Sequence, residues 1–119
     1  MSPIREHEFS RIGLLAELPG ERLYKLSQLM RREHVAAGST VVQEGDEGGR
    51  FYVVLSGMLT VSQKSLGERR VLRPGDYFGE VALAMNVPRT ASVRAMTPAV
   101  VASCDRETFD EFVRPLFSD

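Results

Sequence analysis

The sequence predicts a mainly β domain, a barrel or a double-sheet jelly roll with helices at both ends. Three observations predict it. Short β-type runs separated by turn residues recur from residue 40 to residue 104, a stretch with helical apolar spacing precedes them, and a capped helical stretch follows. At 119 residues, 43% apolar and 26% charged, the chain has room for one hydrophobic core and reads as a single domain over 1–119.

Leu14, Leu15 and Leu18 precede Pro19-Gly20, a break between two short helical segments. Over residues 21–33, Leu23, Leu26, Leu29 and Met30 recur at helical spacing, which predicts an amphipathic helix packed on the domain. Arg22, Lys25, Arg31 and Arg32 occupy its other positions and read as a solvated face. After Ala36-Ala37-Gly38 the pattern changes. Thr40-Val41-Val42-Gln43 is one strand, and Phe51-Tyr52-Val53-Val54-Leu55 is a second, apolar on both faces and therefore buried. Ser56-Gly57 turns into Met58-Leu59-Thr60-Val61-Ser62, and Gly67 separates that strand from Arg69-Arg70-Val71-Leu72 as a hairpin. Residues 92–96 and 99–104 form two more strands around Thr97-Pro98. Asp105 can cap a final helix that buries Phe109, Phe112 and Val113, and Pro115 disfavours a long continuation.

Charge and cysteine content exclude several classes. A formal net charge of -1 offers no field for nucleic acid or an anionic membrane. Cys104 stands alone, so neither an intrachain disulfide nor a cysteine-rich zinc site can form. The charged start, Met1-Ser2-Pro3-Ile4-Arg5-Glu6-His7-Glu8, is unlike a secretory signal, and apolar runs such as Ala99-Val100-Val101-Ala102 fall far short of a membrane span. A cytoplasmic location is expected.

The chemistry concentrates in Phe78-Gly79-Glu80-Val81-Ala82-Leu83-Ala84-Met85-Asn86-Val87-Pro88-Arg89-Thr90-Ala91-Ser92-Val93. Gly79 and Ala82 are small enough to let backbone N–H groups approach a ligand. A helical turn across residues 81–84 would aim free N–H groups, that of Val81 among them, at an anion. Arg89 presents a planar fork suited to phosphate oxygens, whereas ionised Glu80 only accepts hydrogen bonds and suits a sugar hydroxyl.

This segment resembles the phosphate-binding cassette of the cyclic nucleotide-binding domain family, F-G-E-x-A-L, a short spacer, then R-[ATS]-A-x-V. Upstream, Val42-Gln43-Glu44-Gly45-Asp46-Glu47-Gly48 with Phe51-Tyr52-Val53-Val54-Leu55-Ser56-Gly57 resembles the family's glycine-rich strand signature, and Pro74-Gly75-Asp76-Tyr77 is its usual entry to the cassette. The resemblance runs from about Leu14 to about Phe117. It implies an eight-stranded jelly roll that binds cAMP or cGMP as a regulatory sensor, needs no cofactor and performs no catalysis. Arg89 then matches the arginine on the cyclic phosphate and Glu80 the acid on the ribose 2′-hydroxyl. Ala82 and Ala91 match residues whose amides reach the phosphate, Gly79 permits close approach, and Thr90 lies beside phosphate and base. Arg70, with Val71 next to it, falls at the position of a base contact in some relatives. The resemblance also implies that the chain is part of a longer protein and lacks most of a C-terminal lid helix, so that the output lies in a fused or partner effector.

Simpler readings compete. A Glu and an Arg close in sequence are most often a structural ion pair, and a degenerate relative with such a pair would serve only as a ligand-free interaction module. Gly45, Gly48, Gly49 and Gly57 read as turn and bulge residues. His7 and His34 are too isolated for the metal centre of a jelly-roll metalloenzyme, and no nucleophile with its own base is visible.

Overall fold

The computed structural model describes residues 6–9 and 12–117. A short helix α1 (Glu6–Phe9), a 3-10 turn (Leu15–Glu17) and helix α2 (Gly20–Leu29) precede the strands. Eight strands follow: β1 (Arg31–Val35), β2 (Thr40–Val42), β3 (Arg50–Ser56), β4 (Leu59–Gln63), β5 (Gly67–Leu72), β6 (Tyr77–Phe78), β7 (Ser92–Ala95) and β8 (Ala99–Asp105). Helix α3 (Glu80–Met85) lies between β6 and β7. The chain ends in a helical arm that is α over Arg106–Thr108 (α4), π over Phe109–Val113 and 3-10 over Arg114–Phe117.

The strands form two antiparallel four-stranded sheets, ordered β1-β8-β3-β6 and β2-β7-β4-β5. This is the jelly roll with flanking helices that the sequence predicts. The first sheet is covered on both faces, which explains why β3 is apolar without alternation. Phe51 and Val53 pack with Leu15, Leu23, Leu26, Phe109, Phe112 and Val113 under the helices. Tyr52 and Val54 face the opposite way, onto Val42, Leu59, Leu72 and Val93 of the second sheet. The domain therefore has two cores that share the first sheet as a wall.

Several expectations at the start of the chain are overturned. The helix stops at Leu29 rather than continuing to Glu33, and Arg31–Val35 is the edge strand β1, paired with β8 from Arg31↔Ser103 to Val35↔Ala99. Leu29 is also exposed, because the buried stripe runs through Leu23, Leu26, Ser27 and Met30, the i, i+3, i+4, i+7 set. Nor is Arg22 merely solvated: its guanidinium lies 4.3 Å over the Phe112 ring and fastens α2 to the arm. Arg32 leaves the helix face altogether and pairs with Glu8 at 2.5 Å.

The arm also grips α3. Leu83 O accepts from Arg106 Nη1 at 3.1 Å and from Arg114 Nη2 at 3.0 Å, and Ala84 O accepts from Arg114 Nη1 at 3.1 Å. Two guanidiniums thus satisfy carbonyls at the negative end of α3. At Pro115 the arm runs on only as a 3-10 turn, Arg114–Phe117.

Asp105 caps the arm as expected, its carboxylate accepting from Thr108 N at 2.8 Å. That hydrogen bond is the main reason its pKa lies below the ordinary carboxylate value. A group depressed in the folded state contributes stability above its unfolded pKa and loses it as the pH falls through the folded one. Asp105→Ala should cost about 1 kcal/mol at neutral pH, a loss of a few degrees in melting temperature. The melting curves of the two proteins should converge in acid; a gap that is constant with pH would show that the cap contributes no charge-dependent stability.

Candidate functional site

The two halves of the chemically rich segment meet at one end of the β sandwich. Tyr52↔Phe78 pairing brings β6 beside β3, so Gly79, just after β6, lies next to Arg50 at the start of β3. Gly79 takes φ +93, and a Cβ there would stand 2.9 Å from both Arg50 O and Arg89 Nη1. Only glycine fits this corner without strain. From it α3 departs, ending at Asn86 in the left-handed conformation (φ 53), which reverses the chain toward Arg89.

Arg89 is buried, only 7% exposed. Its Nη1 donates to Gly79 O at 3.1 Å and its Nη2 to Arg50 O at 2.8 Å, while its Cζ lies 5.9 Å from the Tyr52 ring centroid. Tyr52 is stacked on Phe78 with centroids 4.8 Å apart. Burial lowers the Arg89 pKa from its ordinary value, against the pull of Tyr52 and Glu80, but a guanidinium stays charged at neutral pH. No carboxylate pairs with it within 4.0 Å among the described residues, so the ion pair with Glu80 that would close the site is absent. Its hydrogen-bond acceptors are thus neutral carbonyl oxygens, which satisfy two donors and leave the positive charge unpaired among the described residues.

The cavity beside it is lined by Gly79, Glu80, Val81, Ala82, Arg89, Thr90 and Ala91, every residue singled out in the cassette. Val42, Val61, Phe78 and Val93 provide an apolar floor, and Arg70 reaches it from β5. Val71 does not line it. On β5 successive side chains alternate, and Val71 is the partner of Thr60 whereas Arg70 is the partner of the floor residue Val61.

Backbone bonds hold the walls. Gly45 N donates to Arg89 O at 2.9 Å and Arg89 N to Asp46 O at 2.8 Å, so the glycine-rich loop is stitched to the arginine. Ser92 Oγ accepts from Glu44 N, and Gln63 Nε2 donates to Thr90 O, both at 2.9 Å. Gly48 is more than turn punctuation. A Cβ on it would come within 2.6 Å of Ala82 Cβ and 3.0 Å of Arg89 Cζ, so its missing side chain is the space that Arg89 occupies. Sequence reasoning missed Gly48, Arg50 and Tyr52 as site residues, since Arg50 contributes a backbone oxygen and Tyr52 a ring face.

Other chemistries have no foothold. Among the described residues no group of three His, Cys, Asp or Glu could hold a metal ion; the His7 side chain lies outside them. Burial pushes the Cys104 thiol up to about 12, which leaves it protonated and inert. No described helix is long and apolar enough to cross a membrane.

Known proteins resemble this chain in sequence and fold. The chain is 38% identical over 103 residues to the cAMP-dependent protein kinase regulatory subunit of Eremothecium gossypii, covering 87% of the chain and 22% of that protein. It is 34% identical over 113 residues to the cGMP-dependent protein kinase egl-4 of Caenorhabditis briggsae, covering 90% of the chain and 15% of the kinase. It thus spans less than a quarter of either relative. Among solved structures, the regulatory domain of Toxoplasma gondii PKA with cAMP superposes with a TM-score of 0.89 at 26% identity, over 93% of this chain and 44% of that one. A cAMP-bound PfPKA-R fragment gives 0.89 at 27% identity, over 93% and 39%. The family pattern for the cyclic nucleotide-binding domain matches residues 32–115, from β1 through the cassette to the arm. With the jelly roll, the cassette corner and the buried arginine all in place, the chain belongs to the cyclic nucleotide-binding domain family.

Proposed function

We propose that the cavity holds a 3′,5′-cyclic purine nucleotide, cAMP or cGMP, with its phosphate on Arg89. The observation that carries this reading is the buried Arg89 guanidinium, which has two carbonyl partners and no carboxylate. A cyclic phosphate brings one negative charge to that point, and the first-turn N–H groups of α3, which have no acceptor within the helix, add donors nearby. Glu80, in the same wall, accepts from the ribose 2′-hydroxyl, while Ala82 and Ala91 are small enough for the phosphate to approach their amides. Thr90 and Arg70 lie toward the base. One neutral hydrogen bond from Thr90 nets about 0.5–1.5 kcal/mol, too little to exclude either nucleotide.

That no described carboxylate pairs with Arg89 argues against a ligand-free interaction module, whose site an internal ion pair would fill. The domain is a binding module and not an enzyme, in keeping with the regulatory subunits it resembles. Its output is an effector that responds to occupancy, in the same protein or a partner. Because α3 is bonded at its far end to the C-terminal arm, occupancy of the cavity and the seating of the arm are mechanically joined.

Arg89→Ala should weaken cAMP binding by roughly 30-fold or more while unfolding stays cooperative, since it removes the charged partner of a desolvated pair. Calorimetry giving near wild-type affinity would remove Arg89 from the site. Arg89→Lys should also bind poorly, because it keeps the charge and loses the fork. If Glu80 holds the 2′-hydroxyl, wild type should prefer cAMP to 2′-deoxy-cAMP, and Glu80→Gln should narrow that preference. Equal preferences in the two proteins would assign Glu80 another role. Gly48→Ala should lower affinity by displacing Arg89, although residue 48 meets no ligand; unchanged titrations would show that the guanidinium has room to spare.

A further inference from the structure

Arg50 O is one of the two acceptors that hold Arg89, and the residue carrying it sits at the very end of the β3–β8 ladder, opposite Asp105 and just after Gly48-Gly49. The Arg50 side chain adds a second tie to β8 beyond the ladder. Its Nε donates to Ser103 Oγ at 3.0 Å. Ser103, on the central strand β8, is fully buried, and its hydroxyl donates to Glu33 Oε2 on the edge strand β1. Arg31 Nη2 stands 3.7 Å from the same carboxylate oxygen.

A serine hydroxyl has one proton. Ser103 accepts from Arg50 and gives that proton to Glu33, so the chain Arg50 to Ser103 to Glu33 runs in one direction, with an ionised group at each end. It crosses three adjacent strands, β3, β8 and β1. The charges acting on the Tyr52 hydroxyl are the guanidiniums of Arg89, Arg50 and Arg31 and the carboxylate of Glu33. Of these four charged groups Glu33 is the acid, and Glu80 is the acid that acts on Arg89 from the cavity side. None of Glu33, Ser103 and Arg50 lines the ligand cavity.

We infer that Glu33, Ser103 and the Arg50 side chain are positioning residues for the phosphate-binding arginine. They reinforce the end of the β3–β8 ladder at Arg50, and through its carbonyl they set the plane of the Arg89 guanidinium. The inference rests on the assignment of Arg89 to the cyclic phosphate, and its test includes a measurement that needs no ligand.

The experiment titrates cAMP by calorimetry into wild type, Glu33→Ala, Glu33→Gln, Ser103→Ala and Arg50→Met, and records the Arg89 Nε–H resonance of each free protein by NMR. Glu33→Ala, Ser103→Ala and Arg50→Met should each bind about three- to tenfold more weakly, the effect of one hydrogen bond, and each should move the Arg89 resonance. Glu33→Gln, which keeps an acceptor for Ser103, should recover part of the loss. Ser103→Ala combined with Arg89→Lys should bind no more weakly than Arg89→Lys alone. Glu33 lies on an edge strand with its side chain 32% exposed, so its variants keep the test open if Ser103→Ala does not fold. Unchanged affinity with an unmoved resonance overturns the inference. So does a loss from Ser103→Ala that is equally large in the Arg89→Lys background, which marks a general structural role. If wild type binds no cyclic nucleotide, the ligand assignment fails, and the Arg89 resonance alone decides: movement upholds the positioning chain and an unmoved resonance rejects it.

Discussion

The site depends on a buried positive charge that the protein itself does not neutralise. Taking a guanidinium out of water is costly unless its donors are met, and Arg89 meets two of them with the carbonyls of Gly79 and Arg50. Much of the local architecture follows from that requirement. Gly79 must be a glycine because a Cβ would collide with both the acceptor and the donor. Gly48 must leave space beside Ala82 and Arg89. The β3–β6 pairing must bring two carbonyls to one point, and the glycine-rich loop must close over the Arg89 backbone. The charge that remains unpaired among the described residues is the one on which the proposed phosphate contact rests.

The first sheet has a double duty that explains how such a site can be both polar and rigid. Its one face packs on the helices through Phe51, Val53 and Phe109, and the other closes the sandwich through Tyr52 and Val54. A strand buried on both sides has little freedom, so its first residue is a firm place from which to hold Arg89. Helix α3 spans the same divide. Ala82 lines the cavity, Leu83 belongs to the core under the helices, and the far end of the helix is bonded to Arg106 and Arg114 of the arm. The six residues of α3 thus connect the Arg89 cavity to the C-terminal arm.

The errors of sequence reading share a cause. Arg31-Arg32-Glu33-His34-Val35 carries little apolar pattern, and the helical period running up to Met30 invites the helix to continue across it. It is a strand because β8 offers an unpaired edge, and an edge strand can be charged as long as its backbone bonds are met. β6 is only two residues long, too short for any period to reveal. Leu29 fits the apolar spacing because leucine is apolar, although its angle around the helix points it to solvent.

By itself the sequence determined the class of fold, most strand positions, the cap at Asp105 and the cassette residues that gather at one cavity. Those signals are local: turn glycines, paired periods, and a run of residue types whose chemistry suits a cyclic phosphate and a ribose. Only the tertiary structure decided what holds Arg89. Its acceptors are backbone oxygens 10 and 39 residues away, and every residue has such an oxygen, so no side-chain pattern could mark these two. The same holds for the link from Arg50 to Ser103 and from Ser103 to Glu33, across separations of 53 and 70 residues. Strand order within a sheet brought them together, and that order follows from burying both faces of β3 and β8 rather than from any motif along the chain.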